Sequence, residues 1–298
     1  MNSSAPPLVV LTGASTGLGL AVARLLATSR YRVVLTARAD SRSRFDRAGI
    51  LESDRISIRE LDVTVAAERA ALMDEVNRRW GGADALINNA GIAYRTVVEH
   101  WDEAAWKDIM EVDVRAAMEL TRLALPAMRT RRSGRILNIS SVGGMMAMPT
   151  MSLYSAAKFA LEGATEALWY EVRPWGIRAS LNEPGFIRSD SFRGTRFTQR
   201  SFRGALDEGD PYHAHYLCMA DFIERMMERA PSTPEDVARC VLRTLERKHP
   251  PLRVYATPDA HLFAWMRRLL PRGLYHEILY RALPQVRTWG RPGKPDKP

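Results

Sequence analysis

Residues 8–27 read LVVLTGASTGLGLAVARLLA: a short apolar run, a turn rich in glycine, then a helical pattern. Leu8 to Gly13 has the continuous apolar character of a strand buried on both faces. Gly13, Gly17 and Gly19 in the turn give the spacing GxxxGxG. Glycine permits a tight turn and close backbone approach to a pyrophosphate, and the helix that follows would present free amides and a positive dipole end to it. As a bare pattern the turn is as often purely structural. Its position favours the dinucleotide reading, because it opens an alternation of strands and helices that runs for about 180 residues. Further strand candidates lie at 31–37, 55–61, 84–89, 134–140 and 177–185, with a last one at 251–257; the longest helical patterns are 105–131 and 152–173. Such alternation predicts βαβ units and an α/β fold, a doubly wound parallel sheet with helices on both faces, in a single domain over 1–298. Pro126 is expected to bend or end the 105–131 helix. The alternation lapses over 186–230, which reads as an insertion, and resumes at 232–248 with Thr233 or Ser232 as cap ahead of Pro234.

Composition narrows the classes. The chain has 298 residues, 46% hydrophobic and 26% charged, the balance of a globular protein, and no apolar run approaches the ~20 residues of a membrane span. MNSSAPPLVVLTG has no basic n-region and is not expected to act as a signal peptide, so a cytoplasmic location is expected. Two cysteines, Cys218 and Cys240, give neither a disulfide framework nor metal-ligand spacing, and no metal is expected. The net charge of +9 raises a nucleic-acid reading, yet 38 of the 43 basic residues are arginines scattered along the chain. No nucleic-acid partner is expected. The excess charge suits a cofactor phosphate, an acidic membrane surface or plain solubility.

The end of the second strand speaks to the choice of dinucleotide. An acidic residue there would bind the ribose 2′-OH of NAD, whereas arginine accommodates the 2′-phosphate of NADP. Here Ala37 and Arg38 end the strand, with Asp40 two residues on, so NADP(H) is expected in preference to NAD(H). In LYSAAKF, 153–159, Tyr154 and Lys158 fall on one helical face about 5 to 6 Å apart. On spacing alone that is an ordinary surface pair.

Taken together, TGASTGLG (12–19), LDVT (61–64), NNAG (88–91), a serine thirteen residues before YSAAK, and EPGFIRS (183–189) resemble the short-chain dehydrogenase/reductase family over about the first 190 residues. The run 134–163 further resembles its 17-beta-hydroxysteroid and retinol dehydrogenase branch. The resemblance implies a Rossmann-type fold and carbonyl–alcohol chemistry with a nicotinamide cofactor. It implies Tyr154 as proton donor or acceptor, Lys158 as the group that holds the nicotinamide ribose and eases loss of the phenol proton, and Ser141 as hydrogen-bond partner of the reacting oxygen. The physics is consistent: ionising a free phenol near neutrality takes roughly 4 kcal/mol, and one positive charge about 5 Å away supplies roughly 3 kcal/mol at an effective dielectric of ~20. Cofactor contacts are implied for Gly13, Ser15, Thr16, Gly17, Leu18 and Gly19, for Asp62 and Val63 at the adenine, for Asn89, Ala90 and Gly91, and for Pro184, Gly185, Ile187 and Ser189 at the nicotinamide. For NNAG a purely structural role is equally open.

Asp113 departs from the pattern, which calls for asparagine there. A carboxylate can pair with Lys158 and oppose its effect on Tyr154, so Asp113 is counted with the catalytic set, and a catalytically weak NADPH-binding sensor stands as the alternative. In the family the segment after the PG motif covers the substrate. Phe186, Phe192 and Tyr216 in that segment, with Met145 and Met148 beyond Ser141, are the candidate substrate residues, for a lipophilic ketone, aldehyde or secondary alcohol of steroid, retinoid or polyketide-like character. His213 and His215 are expected to be solvated loop residues. The basic amphipathic stretch about 260–285 is expected to cap the cleft or pack on another subunit of a homodimer or homotetramer, with peripheral membrane contact as the other reading.

Overall fold

The computed structural model describes residues 5–290, the side chains of 190 and 191 excepted; the polar tail beyond Lys294 lies outside the described residues. All seven strand candidates form strands: β1 Leu8–Leu11, β2 Arg32–Ala37, β3 Ile56–Glu60, β4 Ala85–Asn88, β5 Gly134–Ile139, β6 Ile177–Glu183 and β7 Arg253–Tyr255. The helices are α1 Gly17–Ala27, α2 Ser43–Arg47, α3 Ala66–Trp80, α4 Glu103–Met110, α5 Ala116–Arg131, α6 Ser152–Val172, α7 Gln199–Leu206, α8 His213–Glu228, α9 Pro234–Glu246, α10 Pro258–Leu269 and α11 Arg272–Ala282. The strands make one parallel sheet in the order β3-β2-β1-β4-β5-β6-β7. The order reverses between β1 and β4, and such a switch point opens a crevice at the carboxyl ends of the strands.

The period of two within each strand sorts its side chains between two cores. Val9, Leu11, Val33, Leu35, Ile87 and Leu137 pack against α1, α2 and α9 on one face. Leu8, Val10, Val34, Leu86 and Ile136 pack against α3, α5 and α6 on the other. Burial on both faces explains why the strands read as continuous apolar runs.

Of the two outcomes expected of Pro126, a bend or an end, the second does not occur: α5 runs on to Arg131 and stops where Arg132 takes a left-handed φ of 51°. An interior proline costs ~3 kcal/mol, and buried Leu120 and Met128 on the same helix, at about 1.5–3 kcal/mol each, offset it. His213 and His215 lie on α8 rather than in a loop, with the His215 ring 4.4 Å from that of Trp289. The physical reason is Tyr216, 1% exposed, which draws this turn into the protein through a hydroxyl bonded to Val97 N at 3.1 Å and His100 Nδ1 at 3.0 Å. Thr233 caps α9 in a reciprocal box with Asp236.

Candidate active site and cofactor cleft

The crevice at the switch point is a cavity of about 420 Å³ lined by Gly13, Ser15 to Gly19, Arg38, Asp62, Val63 and Asn89 to Gly91. Of the residues expected at the cofactor, it brings together all those from the first four strand ends. Gly13 and Gly17 take φ of 62° and 49°, which side chains other than glycine resist. A Cβ on Gly19 would stand 2.0 Å from Gly13 O, so only glycine fits the crossing of turn and helix. A close-fitting backbone turn at a helix start is what a pyrophosphate needs. Asn89 Nδ2 donates to Thr12 O and Gly13 O, both at 3.0 Å, and Thr12 Oγ1 accepts from the amides of Asn89 and Ala90 at 3.0 Å. This residue therefore ties β4 to the phosphate turn as well as lining the cavity. Asp62 accepts from Thr64 N and Oγ1, and those bonds hold its carboxyl below the usual carboxylate range.

Asp113 sits where α4 passes into α5 through a wide helical turn, Glu111–Arg115. Such a turn redirects side chains, and it aims this one inward. Asp113 Oδ1 accepts from Ile92 N at 2.7 Å, and Oδ2 lies 3.0 Å from Lys158 Nζ. Lys158 also donates to Ile139 O at 3.2 Å. Burial pushes the Asp113 carboxyl up against the pull of the ammonium. Burial works to lower Lys158, yet the Asp113 charge leaves it above its ordinary value, so the ammonium stays charged. Nζ lies 5.6 Å from the centre of the Tyr154 ring, and a Cβ on Gly91 would be 3.5 Å from Nζ. The ammonium thus reaches from the tyrosine to the wall of the 420 Å³ cavity. Ser141 Oγ accepts from Gly143 N at 3.1 Å; a Cβ on Gly143 would stand 2.7 Å from Tyr154 Cε1, so the glycine lets the ring lie against the serine loop.

Pro184, Gly185, Ile187 and Ser189 follow β6 outside the lining of the 420 Å³ cavity. The segment is held at both sides: Val142 N donates to Pro184 O at 2.9 Å, Gly185 N to Thr257 Oγ1 at 2.8 Å and Phe186 N to Asp259 Oδ2 at 2.8 Å. Behind it, Arg253 bonds Glu162, Glu183 (2.9 Å) and Glu166 (3.3 Å), while Ser140 Oγ donates to Glu162 at 2.8 Å. This cluster braces the serine loop to α6. Burial, reinforced by the Glu162 charge and resisted by Arg253, leaves the Glu183 carboxyl pushed up to about 8. Among the candidate substrate residues, Phe186, Phe192 and Met148 join Met219, Ile223 and the Tyr154 ring in one apolar cluster. Met145 is buried under α10 with Val142 and Ala260, and Tyr216 anchors 186–230 to the segment around Val97.

Residues 7–200 match the family model described as short chain dehydrogenase. The chain belongs to the short-chain dehydrogenase family. Within it, the chain is 31% identical over 276 residues to a 3-ketodihydrosphingosine reductase of Bacteroides thetaiotaomicron, covering 92% of this chain and 97% of the relative. A solved short-chain dehydrogenase from Streptomyces avermitilis superposes with a TM-score of 0.79 at 30% identity, covering 95% and 98% of the two chains. A metagenomic short-chain oxidoreductase in complex with NADP does so with a TM-score of 0.63 at 25% identity, covering 84% and 96%. These matches show the family and do not confirm the resemblance to its 17-beta-hydroxysteroid and retinol dehydrogenase branch. In this short-chain dehydrogenase the cleft also uses residues that sequence reasoning missed: Ser41, Arg44, Asp108, Val112 and Arg196 line the cavity, and Thr257 and Asp259 hold the segment after β6. Arg44 had a signal, a second arginine just past the β2 end. Arg196 had none, because its pairing with Asp108 spans 88 residues of chain.

Proposed function

We propose that the protein is an NADP(H)-dependent oxidoreductase that interconverts a lipophilic ketone or aldehyde and its alcohol. The observation that carries the reading is the placement of the buried Lys158 ammonium, 5.6 Å from the Tyr154 ring and against the Gly91 wall of the cofactor cleft. When bound, the nicotinamide supplies or takes up the hydride. The glycine turn holds the pyrophosphate, Asp62 and Val63 the adenine, and Arg38, Ser41 and Arg44 the 2′-phosphate. Lys158 orients the ribose, and Pro184 to Ser189 hold the nicotinamide. In reduction Tyr154 gives its proton to the carbonyl oxygen while Ser141 donates a hydrogen bond to the same atom. In oxidation the phenolate takes the alcohol proton, favoured by the ammonium beside it. The apolar cluster of Met148, Phe186, Phe192 and Met219 next to Tyr154 supports a substrate with an apolar body, of steroid, retinoid or long-chain character. The match to a 3-ketodihydrosphingosine reductase agrees with a ketone.

The Asp113–Lys158 ion pair favours one second reading, a slow enzyme that serves mainly as a sensor of bound NADPH. A screen of NADPH and NADH oxidation over a panel of apolar ketones and aldehydes tests the proposal. Turnover with NADPH well above NADH on apolar substrates is expected; tight NADPH binding with no turnover on any of them would support the sensor.

A further inference from the structure

The C-terminal helices have two apolar faces, of which the fold uses one. Ala260, Phe263, Ala264 and Leu279 turn inward onto the clusters beside Met145 and Phe186. On the outer side Leu262, Trp265 and Leu269 follow one another at helical spacing on α10, and Leu274 and Ile278 do so on α11; all five are 38–62% exposed. Between the two helices lies a cavity of about 320 Å³ lined by Arg267, Arg272, Tyr275 and His276. Tyr275 is only 3% exposed, and its hydroxyl has no hydrogen-bond partner among the described residues. Burial pushes that phenol up while Arg267 pulls it down, which places the guanidinium within electrostatic reach of it. Among the described residues neither Arg267 nor Arg272 pairs with a carboxylate, and the nearby Glu277 is taken by Arg281 at 2.6 Å.

A buried hydroxyl without a partner beside two uncompensated guanidinium groups is an array of donors, and its ligand must bring acceptors and negative charge. Guanidinium forks match phosphate oxygens in geometry. We propose that the α10–α11 corner is a phosphate-binding site that seats the head group of an anionic phospholipid, with the two outer stripes lying in the bilayer interface. A free phosphate would account for the arginines but not for five exposed apolar side chains, including a tryptophan, flanking the same corner. A second copy of the chain would account for the stripes, but a twofold contact sets each patch against itself and would bring the arginines of both copies together. A bilayer surface instead supplies opposite charge.

The full chain is incubated with vesicles of phosphatidylcholine alone and of phosphatidylcholine with about one-fifth phosphatidylglycerol, and bound protein is sedimented. Binding at least about tenfold stronger to the anionic vesicles, weakened by salt, is expected. Arg267→Gln with Arg272→Gln should abolish the difference while NADPH binding, read by its fluorescence, is kept. Tyr275→Phe, which removes one oxygen and leaves the ring packing, should weaken vesicle binding severalfold and guards against a double variant that fails to fold. Equal or no binding to both vesicles overturns the proposal. Inorganic phosphate that raises the unfolding temperature of a chain indifferent to vesicles would show a free-anion site and overturn the lipid source. A dimer dissociated by Leu269→Ser with Leu274→Ser, in a chain that ignores vesicles, would assign the face to a second copy.

Discussion

Replacing Asp113 by asparagine removes the negative charge beside the Lys158–Tyr154 pair. Oδ2 lies 3.0 Å from Lys158 Nζ, and Nζ lies 5.6 Å from the Tyr154 ring centre, so the carboxylate is within ~9 Å of the phenol ring. At that distance and an effective dielectric of ~20, a negative charge opposes formation of the phenolate by about 2 kcal/mol. Removing it is worth about a tenfold gain in the proton-transfer step, at ~1.4 kcal/mol per factor of ten. The assay is kcat/KM for alcohol oxidation with NADP+ at one neutral pH. In Asp113→Asn it should rise about tenfold. The substitution also leaves the buried ammonium without its counter-charge. Breaking such a pair costs about 3–5 kcal/mol when one partner is removed outright, and less here, because the amide oxygen can still accept from Ile92 N. Both proteins are therefore compared well below their unfolding temperatures. A kcat/KM that is unchanged or falls would refute the electrostatic reasoning and give the carboxylate a role of its own.

Three other expectations follow from the cleft and its supports. Arg38→Ala and Arg44→Ala should each raise the Kd for NADPH about tenfold, the equivalent of one charge-assisted contact of ~1.4 kcal/mol, and leave NADH unchanged; titration of cofactor fluorescence checks this. Gly19→Ala places a Cβ 2.0 Å from Gly13 O and should abolish cofactor binding in a chain whose circular dichroism is still that of the folded sheet. Glu183 holds a proton in the folded chain up to a pH of about 8, where the unfolded chain loses it near 4.5. The folded state thus binds the extra proton across that window, and its contribution to stability is full below about 4.5 and lost as pH rises through about 8. Thermal unfolding should show this fall between pH 5 and 9 in the native protein, and a flatter profile in Glu183→Gln.

The sheet was legible because its strands are buried on both faces: an apolar run such as Leu8–Leu11 or Gly134–Ile139 has nothing else to be in an alternating chain. The glycine turn was legible for a related reason, since Gly19 meets another backbone and no side chain can replace it. Asp113 shows how a departure from a pattern carries information, because the expected pairing with Lys158 is present at 3.0 Å. What the sequence concealed depends on contacts between distant segments. Tyr216 looked like a substrate residue among other aromatics, yet its hydroxyl is spent on Val97 and His100, more than a hundred residues away. Pro126 stays inside α5, where packing of Leu120 and Met128 outweighs its tendency to end a helix. The Glu162, Glu183 and Arg253 cluster joins α6, β6 and β7, and no spacing along the chain announces it.

The proposed reaction needs Tyr154 to deliver the proton while the cleft holds the cofactor, and Tyr154→Phe separates those two tasks by removing only the hydroxyl. The decisive measurement is NADPH oxidation by wild type and Tyr154→Phe on the same apolar ketone, with NADPH affinity determined in parallel. A loss of turnover of about a hundredfold or more with NADPH affinity kept within a few-fold is predicted. Equal turnover in the two proteins would contradict it.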